Sequence, residues 1–165
     1  MAHVTLLASV SVRNVFMTTI PPPDFRERIQ TSFAKQGAMR LIGAELTRVA
    51  HGTVEIECAF DEKLTQQHGI LHAGVISAAL DSACGYAAYT VIDPDVSILT
   101  IEFKVNLMSP GRGERFLFRG DVTKPGSTII VADGRAYAIS DGPAKLIASM
   151  TGTMMVVRGR EEIAG

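Results

Sequence analysis

The 165-residue chain contains no tryptophan, only two cysteines and only 6% aromatic residues. Two thiols cannot staple a chain of this length into a disulfide scaffold, and Cys58 and Cys84 fall in apolar strand-like and helix-like contexts, as buried reduced thiols do. An excess of charge of either sign is also missing. The formal net charge is -1 with 20% charged residues, which provides no basic face for nucleic acid. No apolar run reaches the roughly 18 residues of a membrane span. These features suit a cytoplasmic protein that binds neither nucleic acid nor membrane. The first twenty-three residues lack any acidic side chain and end in Pro21-Pro22-Pro23, which neither continues a helix nor joins a central strand. Val4 to Val12 is apolar but has no charged start and no clear small-residue cleavage site, so a loosely held N-terminal arm is the expectation rather than a signal peptide.

What is present is a single domain's worth of alternating pattern, expected over residues 24–158 with a tail at 159–165. Asp24 can cap a helix running to about Gln36, with Phe25, Ile29 and Phe33 on one face and Gly37 as its stop. Strands are expected at about Arg40 to Ala50 and Thr53 to Phe60, joined at His51-Gly52. Four more follow a long helix from about His72 to Val91. Their spans are about Ser97–Leu107, Glu114–Thr123, Thr128–Ile139 and Lys145–Val157, separated by Ser109-Pro110-Gly111, Pro125-Gly126 and Asp141-Gly142-Pro143. Four strands in series joined by tight turns predict an antiparallel meander. A helix apolar on every side must be wrapped by that sheet, which makes an α+β domain.

The most informative stretch runs from Gln66 to Ala88: a polar turn with His68 and His72, then a helix of small and apolar residues that carries one carboxylate, Asp81. An aspartate in such a helix is either satisfied by hydrogen bonds, for example from Ser77, or faces a cleft. His68 and His72 lack a third ligand and a general-base glutamate between them, and Gly69 marks a turn, so a metal site is not expected. His72 is expected to shape the turn by hydrogen bonding. Cys84 has no identified base beside it, and Gly85 with its neighbouring alanines is expected to allow close packing.

The order strand, strand, histidine-containing turn, apolar helix, four strands resembles the hotdog fold. Gln66…His72-Ala73-Gly74…Asp81 resembles the active-site segment of the phenylacetate-pathway (PaaI-like) acyl-CoA thioesterases and their 4-hydroxybenzoyl-CoA thioesterase relatives. There an amide residue precedes a His-Gly-Gly turn and a carboxylate lies beyond it on the helix. The amide-to-carboxylate separation is fifteen positions here. Thr100 to Pro110 resembles the family's strand ending in a proline-containing turn, and Thr151-Gly152-Thr153 its last strand. Ala73 stands where the family has its first turn glycine, and Gln66 where many members have asparagine. Alanine keeps the backbone N–H, and glutamine keeps the amide donor.

The resemblance implies hydrolysis of an aryl or medium-chain acyl-CoA with no cofactor beyond the coenzyme A of the substrate, and a role for Thr100 beside Asp81. Independently of it, thioester hydrolysis needs donors for the developing oxyanion, and a helix N-terminus supplies unpaired N–H groups. The Ala73 N–H, assisted by Gln66, fits that need, while Asp81 could attack directly or deprotonate water. Ala73 and Asp81 are eight residues apart, roughly 12 Å along one helix. A two-fold dimer with antiparallel helices would bring one chain's Ala73 and Gln66 to the other's Asp81, and the resemblance implies that shared site and a homodimer, paired into a tetramer. Gly74, Lys124, Gly126, Ser127 and Thr128 are candidate substrate contacts, with Arg112, Arg115 and Arg135 as further cations for the coenzyme A phosphates. Two other readings stay open: a non-catalytic acyl-CoA-binding hotdog module, and a hotdog hydratase or dehydratase.

Overall fold

A computed structural model describes residues 24–159; the expected N-terminal arm and residues 160–165 of the expected tail lie outside the described residues. Helix α1 (Phe25–Ala34) buries Phe25, Ile29 and Phe33, the stripe its spacing predicts. Asp24 occupies the N-cap without a side-chain bond; its carbonyl instead accepts from the Arg28 N–H at 3.1 Å. A second short helix, α2 (Gly37–Leu41), stands where the sequence suggested the start of a strand. Its Met39 is buried and Arg40 donates back to the Ala34 carbonyl, so this segment gains more by coiling against α1. Gly43, at φ 64°, then turns the chain into β1 (Glu45–Ala50). Gly52, at φ 76°, makes the turn to β2 (Thr53–Ala59), where Val54, Ile56 and Cys58 point inward as their alternation requires.

The remaining elements are a one-turn 3-10 helix (Glu62–Leu64), the long helix α3 (Ala73–Tyr89), β3 (Val96–Leu107), β4 (Arg115–Lys124), β5 (Ile129–Ile139) and β6 (Lys145–Arg158). All six strands form one antiparallel sheet in the order β1-β2-β4-β5-β6-β3. Only β4, β5 and β6 form a meander. The expected four-strand meander fails at β3, which pairs with β6 at the far edge rather than with β4. The link from β3 to β4 must therefore cross the end of the sheet. Met108 and Ser109 donate to the Ile147 carbonyl, Gly111 accepts from Leu71, and Glu114 donates to Ile139. The consequence is an edge strand twelve residues long with one side unpaired among the described residues.

The sheet wraps α3, as the hotdog resemblance implies. Ala79, Leu80, Ala83, Cys84 and Ala87 are fully buried in that contact. Two glycines paired across β4 and β5, Gly120 and Gly134, permit the close approach. A Cβ at Gly120 would lie against the Ala83 carbonyl and 2.6 Å from the Cys84 nitrogen, and one at Gly134 would lie 3.0 Å from the Cys84 sulfur. Gly85 plays no such part, contrary to the sequence expectation. A Cβ there meets nothing within 4 Å.

Candidate active site

The turn before α3 is built by its own polar groups. Gly69, at φ 67°, closes it, with its N–H on the Gln66 carbonyl and the Gln66 N–H on the Ile70 carbonyl. The Gln66 side-chain oxygen accepts from the His68 N–H, which leaves the amide nitrogen as the group that can donate. His72 is the N-cap of α3. Its Nδ1 accepts from the Gly74 N–H at 2.9 Å, so the ring shapes the turn. The His72 carbonyl takes the Val75 and Ile76 amides, and the His72 N–H goes to Leu64. This leaves the Ala73 N–H as the first-turn amide with no acceptor among the described residues.

Asp81 lies two turns further along α3 and is half-buried. Thr100 of β3 donates its hydroxyl to Oδ1 at 2.8 Å. Ser77, the alternative partner, donates instead to the Ala73 carbonyl. Burial raises the Asp81 carboxyl above the ordinary 3.8, and the Thr100 bond partly offsets that. Strict alternation would put Thr100 on the outer, polar side of β3 with Ile101 inside. The register against β6 slips between Thr100 and Glu102, so Ile101 is an extra residue in a β-bulge and is exposed. The bulge turns Thr100 onto the α3 side, where it reaches Asp81.

Asp81 and Thr100 line a cavity of about 320 Å³ between α1, α3 and β3. Ser82, Gly85, Tyr86 and Tyr89 continue its α3 wall, and Ser32 of α1 and Gln36, the N-cap of α2, close it. Neither thiol belongs to this chemistry. Burial pushes Cys84 up to about 12, with the charges of Asp81, Asp133 and Asp121 adding to the effect, and Cys58 up to about 11.

Within one chain, Asp81 and Thr100 come together, and Gln66, His72, Ala73 and Gly74 come together, but the two groups are separated by two turns of α3. The turn holding Lys124, Gly126, Ser127 and Thr128 lies at the C-terminal end of α3. Val122 bonds Gly52, and Gly52 bonds Thr90, the C-cap of that helix. It is thus at the opposite end of α3 from Ala73, with Asp81 midway between. Arg158 holds the Ser127 carbonyl at 2.8 Å. Arg115 is paired with Glu57 at 2.9 Å at the opposite end of β4, and Arg135 stands directly across from Arg119. The wall residues Ser32, Gln36, Ser82, Gly85 and Tyr86 were not singled out from sequence as site residues. The one available signal was a serine and a tyrosine at positions one and five beyond Asp81 on a helix otherwise small and apolar.

The sequence model of the Thioesterase superfamily matches residues 68–145, from the turn before α3 to the start of β6. A thioesterase family protein from Silicibacter pomeroyi, known from its crystal structure, is 47% identical with a TM-score of 0.80, the match covering 82% of this chain and 99% of that one. The chain belongs to the thioesterase superfamily. It is a hydrolase of thioester bonds. Medium/long-chain acyl-CoA thioesterase YigI of Escherichia coli is 32% identical over 100 residues, 53% of this chain and 63% of its own length. The E. coli PaaI protein from the phenylacetic acid degradation operon shares the fold at a TM-score of 0.74 and 14% identity, over 82% of this chain and 95% of that one. No helix among the described residues is long and apolar enough to cross a membrane.

Proposed function

We propose that the chain hydrolyses aryl or medium-chain acyl-CoA at a site shared between two copies. The reading is carried by one observation: a half-buried carboxylate, its ionisation opposed by burial and assisted by a single hydroxyl, at the wall of a cavity large enough for an acyl group. Asp81 takes a proton from water, the hydroxide adds to the thioester carbon, and the C–S bond breaks as the proton passes to the departing coenzyme A sulfur. In the alternative route Asp81 itself adds to the carbon, the thiolate leaves, and water hydrolyses the resulting anhydride. Either route needs an ionised Asp81 and donors for the oxyanion, and neither needs a metal or other cofactor.

The unaccepted Ala73 N–H and the Gln66 amide nitrogen are suitable donors, but they lie at the N-terminal end of α3, two turns from Asp81 of the same chain. A second copy supplies them. The long free edge of β3 exposes Leu99, Ile101, Phe103 and Leu107. An unpaired apolar edge of this length invites pairing with its own copy. Antiparallel β3–β3 pairing sets the two α3 helices head to tail, which carries the partner's oxyanion donors toward Asp81. The coenzyme A phosphates are assigned to the 124–128 turn, where Lys124 and the Gly126–Thr128 backbone and hydroxyls are suitable donors. A dimer of dimers and a cytoplasmic setting complete the reading.

The test is thiol release from aryl and aliphatic acyl-CoAs together with subunit complementation. Asp81→Asn and Gln66→Ala are each expected to be impaired as homo-oligomers. Mixed and re-equilibrated, they regain activity, because one of the two sites in a mixed dimer then carries Asp81 and Gln66 together. Sedimentation should show no monomer at assay concentration. Absence of recovery from exchanging subunits would remove the shared site. Tight acyl-CoA binding without release by the wild type would make the protein a binding module.

A further inference from the structure

The face of the sheet turned away from α3 carries a charge pattern that one chain leaves unbalanced. Phe118, Gly120, Ala132, Gly134 and Ala136 are buried on the α3 side, so Arg119 and Asp121 of β4 and Asp133 and Arg135 of β5 stand on the other. The register sets Asp121 directly opposite Asp133 and Arg119 directly opposite Arg135. Like charges facing each other across two strands are destabilising. Here an acidic pair and a basic pair lie side by side.

Compensation within the chain is uneven. Arg119 donates to both Asp121 oxygens, at 2.7 and 2.9 Å, and to Glu55 at 3.2 Å. Asp121 also accepts from Thr53, and Asp133 accepts from Thr123 and Thr151. The Arg119 bond above all holds the Asp121 carboxyl below 3.8, and the two threonine bonds do the same for Asp133, so both are ionised at neutral pH. Arg135 is exposed and makes no hydrogen bond or ion pair among the described residues.

This square of charges discriminates between the ways in which a second copy can stack on it. A two-fold axis parallel to the strands lays acid on acid and arginine on arginine. A diagonal axis lays two of the four charges on their own counterparts. An axis across the strands, between the two rows, lays Asp133 on Arg135 and Asp121 on Arg119, so that all four contacts are attractive. The same operation brings half-buried Val131 over half-buried Tyr137. Sheets packed face to face lie about 10 Å apart, and long arginine side chains reach across that gap.

We propose that this face is a second self-association surface, on which two dimers stack sheet to sheet about that axis and Arg135 of each copy pairs with Asp133 of the other. The proposal deepens the dimer-of-dimers reading given above and rests on it, with the β3 edge as the first interface.

The experiment is sedimentation of Arg135→Asp and Asp133→Arg, alone and mixed. Alone, the first sets acid against acid and the second sets base against base, and each is expected to sediment at half the wild-type tetramer mass. Mixed in equal amounts they are expected to return to that mass, because one copy is then cationic at both positions and the other anionic. A purely structural role for these residues would not produce that recovery. Arg135→Asp keeps every hydrogen bond of Asp133, so it remains decisive even where Asp133→Arg fails to fold. A wild type that sediments as a dimer, Arg135→Asp at the wild-type mass, or folded variants that do not recombine would each overturn the proposal. Phe103→Glu separates the two interfaces. It is expected to leave dimers held by the sheet face alone. Monomers would overturn the sheet-face contact while leaving the shared site intact, whereas an unchanged tetramer would remove the β3 edge and leave this face standing.

Discussion

Replacing Thr100 by valine isolates one interaction at the site. The change keeps the side-chain volume and removes the hydroxyl that donates to Asp81 Oδ1 at 2.8 Å. Burial raises the Asp81 carboxyl and this bond opposes the rise, so its loss leaves burial unopposed and makes ionisation harder still. A nucleophile or general base must be ionised to act. On the acid limb of the pH profile, kcat/KM is proportional to the ionised fraction. A hydrogen bond to a charged group contributes about 1.5–3 kcal/mol. At tenfold per 1.4 kcal/mol, Thr100→Val should therefore lose about 10- to 100-fold in kcat/KM on the acid limb. Towards the alkaline plateau, where Asp81 is ionised in both proteins, the loss should shrink to a small factor. Thr100→Ser, which keeps the donor, should follow the wild-type limb. The assay is thiol release measured across pH for all three proteins. A loss of the same size at every pH, or an acid limb displaced downward, would refute the reasoning and leave Thr100 as a packing residue.

Other substitutions test the surrounding physics. Asp81→Asn should lower kcat by about 10²–10⁴-fold and at the same time raise the urea midpoint at neutral pH. The folded pKa of Asp81 is raised, so the stability linked to it is full below the unfolded value of 3.8 and is lost as pH rises through the folded value; the asparagine variant escapes that loss, and its advantage should close below pH 3.8. Asp133 is the opposite case. Bonds from Thr123 and Thr151 hold its carboxyl below 3.8, so its contribution is present above that value and is lost on further acidification; Asp133→Asn should lower the urea midpoint at neutral pH, with the difference closing in acid. Gly120→Ala pushes a methyl against the α3 backbone and should cost about 1–3 kcal/mol by chemical denaturation. Gly85→Ala meets open space, so it should stabilise by about 0.5–1 kcal/mol, while lowering kcat/KM for acyl groups that fill the cavity.

Much of this could be read in order along the chain. Apolar alternation located β2 and the later strands to within a residue or two, and an all-apolar helix could only be a wrapped one. The residues that act through local geometry were equally legible. His72 caps the helix it precedes, and Gly69 makes the turn that its freedom from a Cβ permits. The 3.6 periodicity also announced the buried face of α1. It failed directly afterwards at Gly37–Leu41, where burial of Met39 outweighed the strand-like sequence.

Other features depended on contacts between segments distant in sequence. The pairing of β3 with β6 rather than β4 arises because the β3–β4 link can cross the sheet end, and no local pattern encodes which edge a strand joins. The bulge at Ile101 exists only relative to β6, yet it decides that Thr100 rather than Ile101 faces the helix. The cavity is made by α1, α3 and β3, with Ser32 and Tyr86 fifty-four residues apart meeting in its wall. The sequence by itself determined most of the elements and the acidic residue in the helix, since these rest on local periodicity and short spacings, and the Gln66-to-Asp81 segment carried the resemblance to a known family. Only the tertiary structure decided which hydroxyl serves Asp81 and what surrounds an acyl group, because side chains meet there through the register and stacking of whole elements.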